Sequence, residues 1–180
     1  MASSDGAKAR IFWPVLAIVV ISDIITKFIA VAELFPRGVP QPVFGDIVRL
    51  TLVYNKGAAF GLDVGPYSRW IFLALTVGAL VILWQLYRST RADDLMRSLA
   101  IALVCGGAVG NLIDRVRSAQ GVVDFIDIGV GAMRWPTFNV ADMAVSTGAF
   151  LLAWVLWGEE REERVPSSRA AMSTEPSGTP

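Results

Sequence analysis

Apolar residues do not alternate with polar ones along most of this chain; they run together in four blocks, over roughly residues 12–35, 70–87, 95–113 and 140–157. A helix needs about 20 mostly apolar residues to cross a bilayer core, so each block predicts a transmembrane helix. The second, from Trp70 to Tyr87, holds no charge and is bracketed by aromatic side chains that favour membrane interfaces. It is expected to support the bundle and to face lipid over much of its surface. The first follows Lys8 and Arg10 and reaches Ala30-Val31-Ala32, which is like the end of a cleaved secretory signal. A cleavable apolar region is shorter, about 7 to 15 residues, and would not carry Asp23 and Lys27 in its middle. The span is therefore expected to be retained.

The segments between the blocks differ in kind. Residues 88–94 make a short connection, whereas the longer segments 36–69 and 114–135 fall on the same side of a four-span chain. Val43 to Tyr54 is rich in Val, Ile, Leu and Thr with partial alternation, and Gly121 to Ile128 alternates similarly, so both read as short strands. Open strand edges are not tolerated in lipid, which places the strands in a small sheet at the membrane surface, covered by protein or facing water. The expected fold is an all-α membrane protein: four transmembrane helices with a small extramembrane β-sheet or cradle, in one unit over residues 1–158. From Glu159 the sequence becomes charged and then rich in Pro, Ser and Thr, so residues 159–180 are expected to form a disordered polar tail.

Composition narrows the chemistry. Of 180 residues, 54% are hydrophobic and 18% charged, which agrees with an integral membrane protein. Sixteen basic and sixteen acidic residues cancel, leaving no basic surface for nucleic acid. Eight of the basic residues lie with the termini and the short connection and seven on the longer segments, a weak bias towards cytoplasmic termini. With no histidine, Ser-His-Asp and Cys-His nucleophile systems and His-ligated metal sites are excluded. The single cysteine, Cys105, allows no internal disulfide and no thiolate cluster, and its apolar setting predicts burial and inertness. No metal or cofactor is expected; carboxylates, lysines, hydroxyls and amides remain.

Polar residues within or beside the spans are then the candidates. Asp23 and Lys27 lie four apart, stacked on one helix face at a depth where charge faces protein and marks function. Asn55 and Gly57 open a run of small residues to Gly61 that fits a turn after a strand as well as a substrate clamp. Asn111, Asp114 and Arg115 share one helix face near the end of the third span, where Arg115 also complements the helix dipole. Asn139 and Asp142 have the spacing of an N-cap and a capping box. Asp124 and Asp127, three apart on a strand, must point to opposite faces, so only one of them should meet Asp142. Alternation does not say which.

Five motifs stand in order: Asp23-x-x-x-Lys27, Asn-x-Gly-Ala-Ala-Phe-Gly from Asn55 to Gly61, Gly-Asn-Leu-Ile-Asp-Arg from Gly110 to Arg115, Val-Val-Asp-Phe from Val122 to Phe125, and Phe-Asn-x-Ala-Asp from Phe138 to Asp142. Together they resemble the lipoprotein signal peptidase (signal peptidase II) family. The resemblance implies a membrane aspartic endopeptidase of the bacterial cytoplasmic (inner) membrane that removes signal peptides from diacylglyceryl-modified prolipoproteins, cutting just before the lipidated cysteine. It makes Asp124 and Asp142 the catalytic pair, with Asn55, Gly57, Asn111, Arg115 and Asn139 binding substrate or supporting the pair, and Asp23, Lys27 and Asp114 as structural polar residues. The stretch Val116 to Val123 is one residue longer than the usual family spacing. Partners implied are the prolipoprotein and membrane lipid, with the enzyme a monomer, its termini cytoplasmic and its active site near the outer face. Two rivals remain distinct: a proton- or cation-coupled transporter using Asp23, Lys27, Asp114 and Asp142 as a relay, and a membrane scaffold that tolerates loss of both aspartates.

Overall fold

A computed structural model describes residues 5–57 and 65–172. In chain order the elements are α1 (Asp5–Glu33), β1 (Gln41–Phe44), β2 (Val48–Asn55), α2 (Ser68–Ser89), α3 (Leu95–Arg117), β3 (Val122–Val130), β4 (Met133–Arg134) and α4 (Val140–Met172). Four helices are long and apolar enough to cross a membrane, over Gly6–Glu33, Ser68–Ser89, Leu95–Arg117 and Val140–Glu159. α1 and α3 outrun the apolar blocks because polar and basic residues at a helix end continue the backbone hydrogen bonds beyond the lipid. α4 continues to Met172 where an irregular tail was expected from Glu159. Glu and Arg, frequent just after Trp157, are strong helix formers and extend the span's helix into water. Residues 173–180 of the expected tail, and Ala58 to Gly61 of the second motif, lie outside the described residues.

α3 is the centre of the bundle, packed chiefly on α4 and α1. Apart from Ile101, its buried residues are small: Ser98, Ala100, Ala102, Cys105, Gly106, Gly107 and Gly110. In a bilayer, where apolar burial does not by itself drive helices together, small residues permit the close backbone approach that van der Waals packing needs. Gly106 lies against Val19 of α1, and Gly107 against the Ala141 carbonyl and Val145 of α4. Cys105 is buried in the cluster of Phe12, Tyr87, Ile101 and Ala102, a packing role. In α2 only Ser68 and Tyr87 are buried, while Leu75, Val81 and Ile82 face outward as expected for a lipid-facing support.

Gly110 carries a sharper constraint. A Cβ there would lie 2.5 Å from Asp23 Oδ2, and Asp23 is fixed by other bonds. Gly110→Ala is therefore expected to lose about 1–3 kcal/mol of stability through overpacking, read as a lowered unfolding temperature in detergent.

The four strands form one antiparallel ribbon in the order β1-β2-β3-β4. The segment read from sequence as one strand over Val43 to Tyr54 is a hairpin, because Gly45, at φ +53°, reverses the chain between β1 and β2. β2 pairs with β3 so that Val53 faces Asp124 and Asn55 faces Val122, with an irregularity between Leu50 and Val53. Gly121, at φ +99° with the Asn55 carbonyl where a side chain would begin, is the turn that lets β3 meet the end of β2. Leu52, Val123 and Phe125 bury one face of the ribbon against Ala30 and Leu34 at the end of α1. The sheet thus unites the two longer segments at the end of the bundle where α1 and α3 finish and α4 begins, opposite the start of α1 and the far end of α4.

Candidate active site

Asn139 sits at the junction of sheet and bundle and is fully buried. As the residue before α4 it accepts a hydrogen bond from the Asp142 N–H at its Oδ1, 3.0 Å, while its own N–H donates to Asp142 Oδ2, 3.2 Å. That reciprocal pair is a capping box closed by an aspartate. Its Oδ1 being so occupied, the amide nitrogen turns to the sheet and donates to Asp124 Oδ1 at 2.7 Å. One residue therefore caps the helix and bridges both aspartates. The capping geometry that the spacing offered is present, and the same side chain also reaches Asp124.

Asp124 is 2% exposed and receives a second hydrogen bond, from Asn55 Nδ2 to its Oδ2 at 3.2 Å. Asn55 also accepts from the Gly57 N–H, 3.0 Å, so the turn after β2 fixes the amide that meets the carboxylate. Asp142 accepts from Asn111 Nδ2 at 2.8 Å and lies in the first turn of α4, with its negative charge at the positive end of the helix dipole. Burial, and after it the neighbouring Asp142 charge, push the Asp124 carboxyl up to about 7 against the opposing hydrogen bonds from Asn55 and Asn139.

Lys27 supports this arrangement from below. Its ammonium has three donors and three partners: Asp23 Oδ2 at 2.7 Å, Asp114 Oδ2 at 2.8 Å and Asn111 Oδ1 at 3.0 Å. By occupying the oxygen of Asn111, it leaves the amide nitrogen to face Asp142. Asp23 Oδ1 accepts from the Ala141 N–H, 2.9 Å, and Asp114 Oδ2 accepts from the Val123 N–H, 3.2 Å. The cluster thus fastens the start of α4 and the start of β3, the two elements that carry Asp142 and Asp124. The chain still returns Asp124 to the cluster across the longer stretch from Val116 to Val123.

Asp127 is the aspartate that stays away. It receives Arg49, Arg134 and Thr51 on the other side of β3. Burial would raise its carboxyl, but the hydrogen bonds from Arg134, Thr51 and Arg49 outweigh it and hold the group below the usual carboxylate range. Its partners come from β2 and β4, so it ties the ribbon together.

All ten sequence candidates gather here, and a cleft of about 970 Å³ opens onto Asn55, Asn111, Arg115, Asp124 and Asp142. Arg115 donates to the Gly57 carbonyl, 3.1 Å, which pins the loop after β2 to α3. Three features escaped the sequence reading. Trp135 and Phe138 form apolar wall, and Val145 and Ser146 extend the cleft along α4. Arg69 donates to the carbonyls of Arg115 and Val116, closing the end of α3. Ser146 lies four residues beyond Asp142, a helical spacing that could have signalled its place on the same face.

Known proteins bear on this arrangement. The model of the family described as signal peptidase (SPase) II matches residues 15–158. A lipoprotein signal peptidase of Cupriavidus taiwanensis is 43% identical over 152 residues, 82% of this chain and 83% of that one. One of Burkholderia mallei is 42% identical over 154 residues, covering 84% and 90%. Among solved structures, a bacterial membrane enzyme superposes with a TM-score of 0.72 at 32% identity, over 81% of this chain and 87% of that one. With the match spanning α2 and α3 entirely, most of α1 and α4, the whole sheet, and both Asp124 and Asp142, the chain belongs to the signal peptidase II family of membrane peptidases.

Proposed function

We propose that Asp124 and Asp142 are the catalytic pair of this peptidase, and that it cuts diacylglyceryl-modified prolipoproteins just before the lipidated cysteine. Removal of signal peptides from prolipoproteins is the activity of the family, and the observation that carries the catalytic assignment is the buried Asn139 bridge between the two carboxylates. Two carboxylates holding one proton supply an acid and a base without histidine, thiol or metal. Burial and the neighbouring Asp142 charge favour the protonated form of Asp124.

The hydrolysis balances on that pair. The ionised Asp142 takes a proton from a water, whose oxygen attacks the scissile carbonyl, while Asp124 gives its proton to the developing oxyanion. Collapse of the tetrahedral intermediate breaks the C–N bond, the proton on Asp142 goes to the departing amine, and the oxyanion's proton returns to Asp124. The products are a signal peptide with a new carboxylate and a lipoprotein beginning with a free cysteine amine. Asn55, Asn111 and Arg115 border the cleft as holders of the substrate backbone. Asp23, Lys27 and Asp114 act through position, not by touching substrate.

The setting fits a lipidated substrate. The cleft lies at the bundle end away from the start of α1, which suits a signal helix that leaves the bilayer there, its cysteine reaching water while the acyl chains stay in lipid. With the termini in the cytoplasm this end faces outward, and a monomer contains the complete pair. Purified protein incubated with a diacylated and an unmodified form of one precursor tests the assignment: only the diacylated form should be cut efficiently. Equal cleavage of both would overturn the substrate assignment and leave the peptidase class standing.

The pair also predicts a pH dependence. Because the Asp124 carboxyl is raised, the singly protonated pair persists to about pH 7 and is lost as pH rises through that value. The ratio kcat/KM should fall about tenfold per unit on the alkaline side. Removing a hydrogen bond that favours the charged form should move this limb to higher pH, as read in Asn55→Ala. A flat profile from pH 6 to about 9 would contradict the shared-proton mechanism.

A further inference from the structure

Beside the catalytic cleft, across the end of β2, lies a second recess of about 440 Å³ lined by Arg37, Tyr54, Lys56 and Gln120 among others. It shares Val53, Tyr54 and Lys56 with the cleft, so the two are neighbouring parts of one surface. Lys56 follows Asn55, whose amide touches Asp124. The recess stands on the extramembrane ribbon, with Gly38 donating to the Leu52 carbonyl to hold its floor.

Its charge is one-sided. Among the described residues no carboxylate lines it, and both of its cationic side chains are exposed. Elsewhere at this end of the molecule, Arg49 pairs with Asp46 and Asp127, Arg134 pairs with Asp127, and Arg69 donates to main-chain carbonyls. Arg37 and Lys56 have no carboxylate ion pair among the described residues. The Arg37 guanidinium lies over the Tyr54 ring, 4.3 Å from its centroid, which fixes a flexible side chain and leaves N–H groups for an acceptor.

A substrate threaded through the cleft has two unlike ends. The signal helix is apolar and stays in the bilayer; the mature chain is polar and leaves into water. An extended peptide advances about 3.3 Å per residue, so the second to fourth residues after the cut fall about 7–13 Å from the scissile bond. We propose that the recess is a subsite for these mature-side residues, and that Arg37 and Lys56 make it favour acidic side chains there over basic ones. The inference rests on the reading of the chain as a peptidase that cuts before the lipidated cysteine.

Three diacylated peptides that differ only in carrying Asp-Asp, Asn-Asn or Lys-Lys just after the cysteine test it with the purified full chain. At low salt kcat/KM should fall in that order, by about threefold per step as expected for exposed charge pairs, and the spread should shrink at high salt. Arg37→Glu with Lys56→Glu should reverse the order of the three peptides within that variant. The milder Arg37→Gln with Lys56→Gln should flatten it. Equal rates for all three peptides in the wild type, or an acidic preference that survives in either double variant, would overturn the subsite. So would a rate that follows the anionic lipid content of the micelles and ignores peptide charge, which would assign the two cations to headgroups. Failure of the wild type to cut even the Asn-Asn peptide would strike the peptidase reading itself, and the subsite with it.

Discussion

Asp124→Asn and Asp142→Asn should each lower kcat by about 10³ to 10⁴, the scale on which positioned acid–base groups act, while the protein still inserts and folds. Both substitutions keep the shape and the capacity to accept a hydrogen bond, so the Asn139 bridge has partners in either variant. What each removes is one ionisable oxygen pair. With the proposed roles, Asp142→Asn loses the base that takes the water's proton and Asp124→Asn loses the acid that protonates the carbonyl. Because the two work as a unit, the double variant should be no slower than the worse single one. Asp127→Asn supplies the internal contrast. It lies three residues from Asp124 on the same strand but bonds Arg49, Arg134 and Thr51, so it should lower stability and leave the pH limb of activity where it was. Substantial activity in either Asp124→Asn or Asp142→Asn would remove that aspartate from the mechanism.

Lys27→Met should be the most damaging single change to the fold, at about 3–5 kcal/mol, because it leaves buried carboxylates facing one another without a cation. Lys27 and Asp23 are 6% and 0% exposed at their side chains and Asp114 18%, so water cannot replace the ammonium. The same change frees the Asn111 amide to rotate, and a rotated amide would present its oxygen to Asp142. Surviving protein should therefore show a lowered kcat as well as a lowered unfolding temperature. A charge swap, Asp23→Lys with Lys27→Asp, should not rescue either loss. Asp23 also accepts the Ala141 N–H and Lys27 also binds Asp114 and Asn111, so the swapped pair would set an ammonium against a donor and a carboxylate against Asp114. Full rescue by the swap would show that the two residues serve only each other.

The four spans were legible because lipid demands long apolar runs, and the sequence pattern departs from the structure mainly at helix ends, where water tolerates polar helix. α3 runs to Arg117, past the apolar block ending near residue 113. The gathering of Asn111, Asp114, Asn139 and Asp142 near the ends of α3 and α4 followed from helical spacing. The choice of Asp124 over Asp127 did not follow from the strand pattern. It depends on the register that sets Val53 against Asp124 and Arg49 against Asp127, and on the irregularity between Leu50 and Val53. No local pattern carries that offset; the ordered motifs pointed to Asp124 by resemblance, without the geometry. The triple bonding of Lys27 was hidden for a similar reason. Its i,i+4 partner Asp23 is visible in sequence, whereas Asn111 lies 84 positions away on another helix. The hairpin at Gly45 was obscured because valine and phenylalanine on β1 read as a continuation of β2.

In the proposed mechanism one water, activated between Asp124 and Asp142, cuts the peptide directly. Single-turnover cleavage of the diacylated precursor in oxygen-18 water, with products weighed by mass spectrometry, tests it. One solvent oxygen is expected in the new carboxylate of the signal peptide from the first turnover and none in the enzyme. Unlabelled signal peptide from that turnover, with the label on a protein carboxylate, would show that an aspartate attacks the peptide itself and would contradict it.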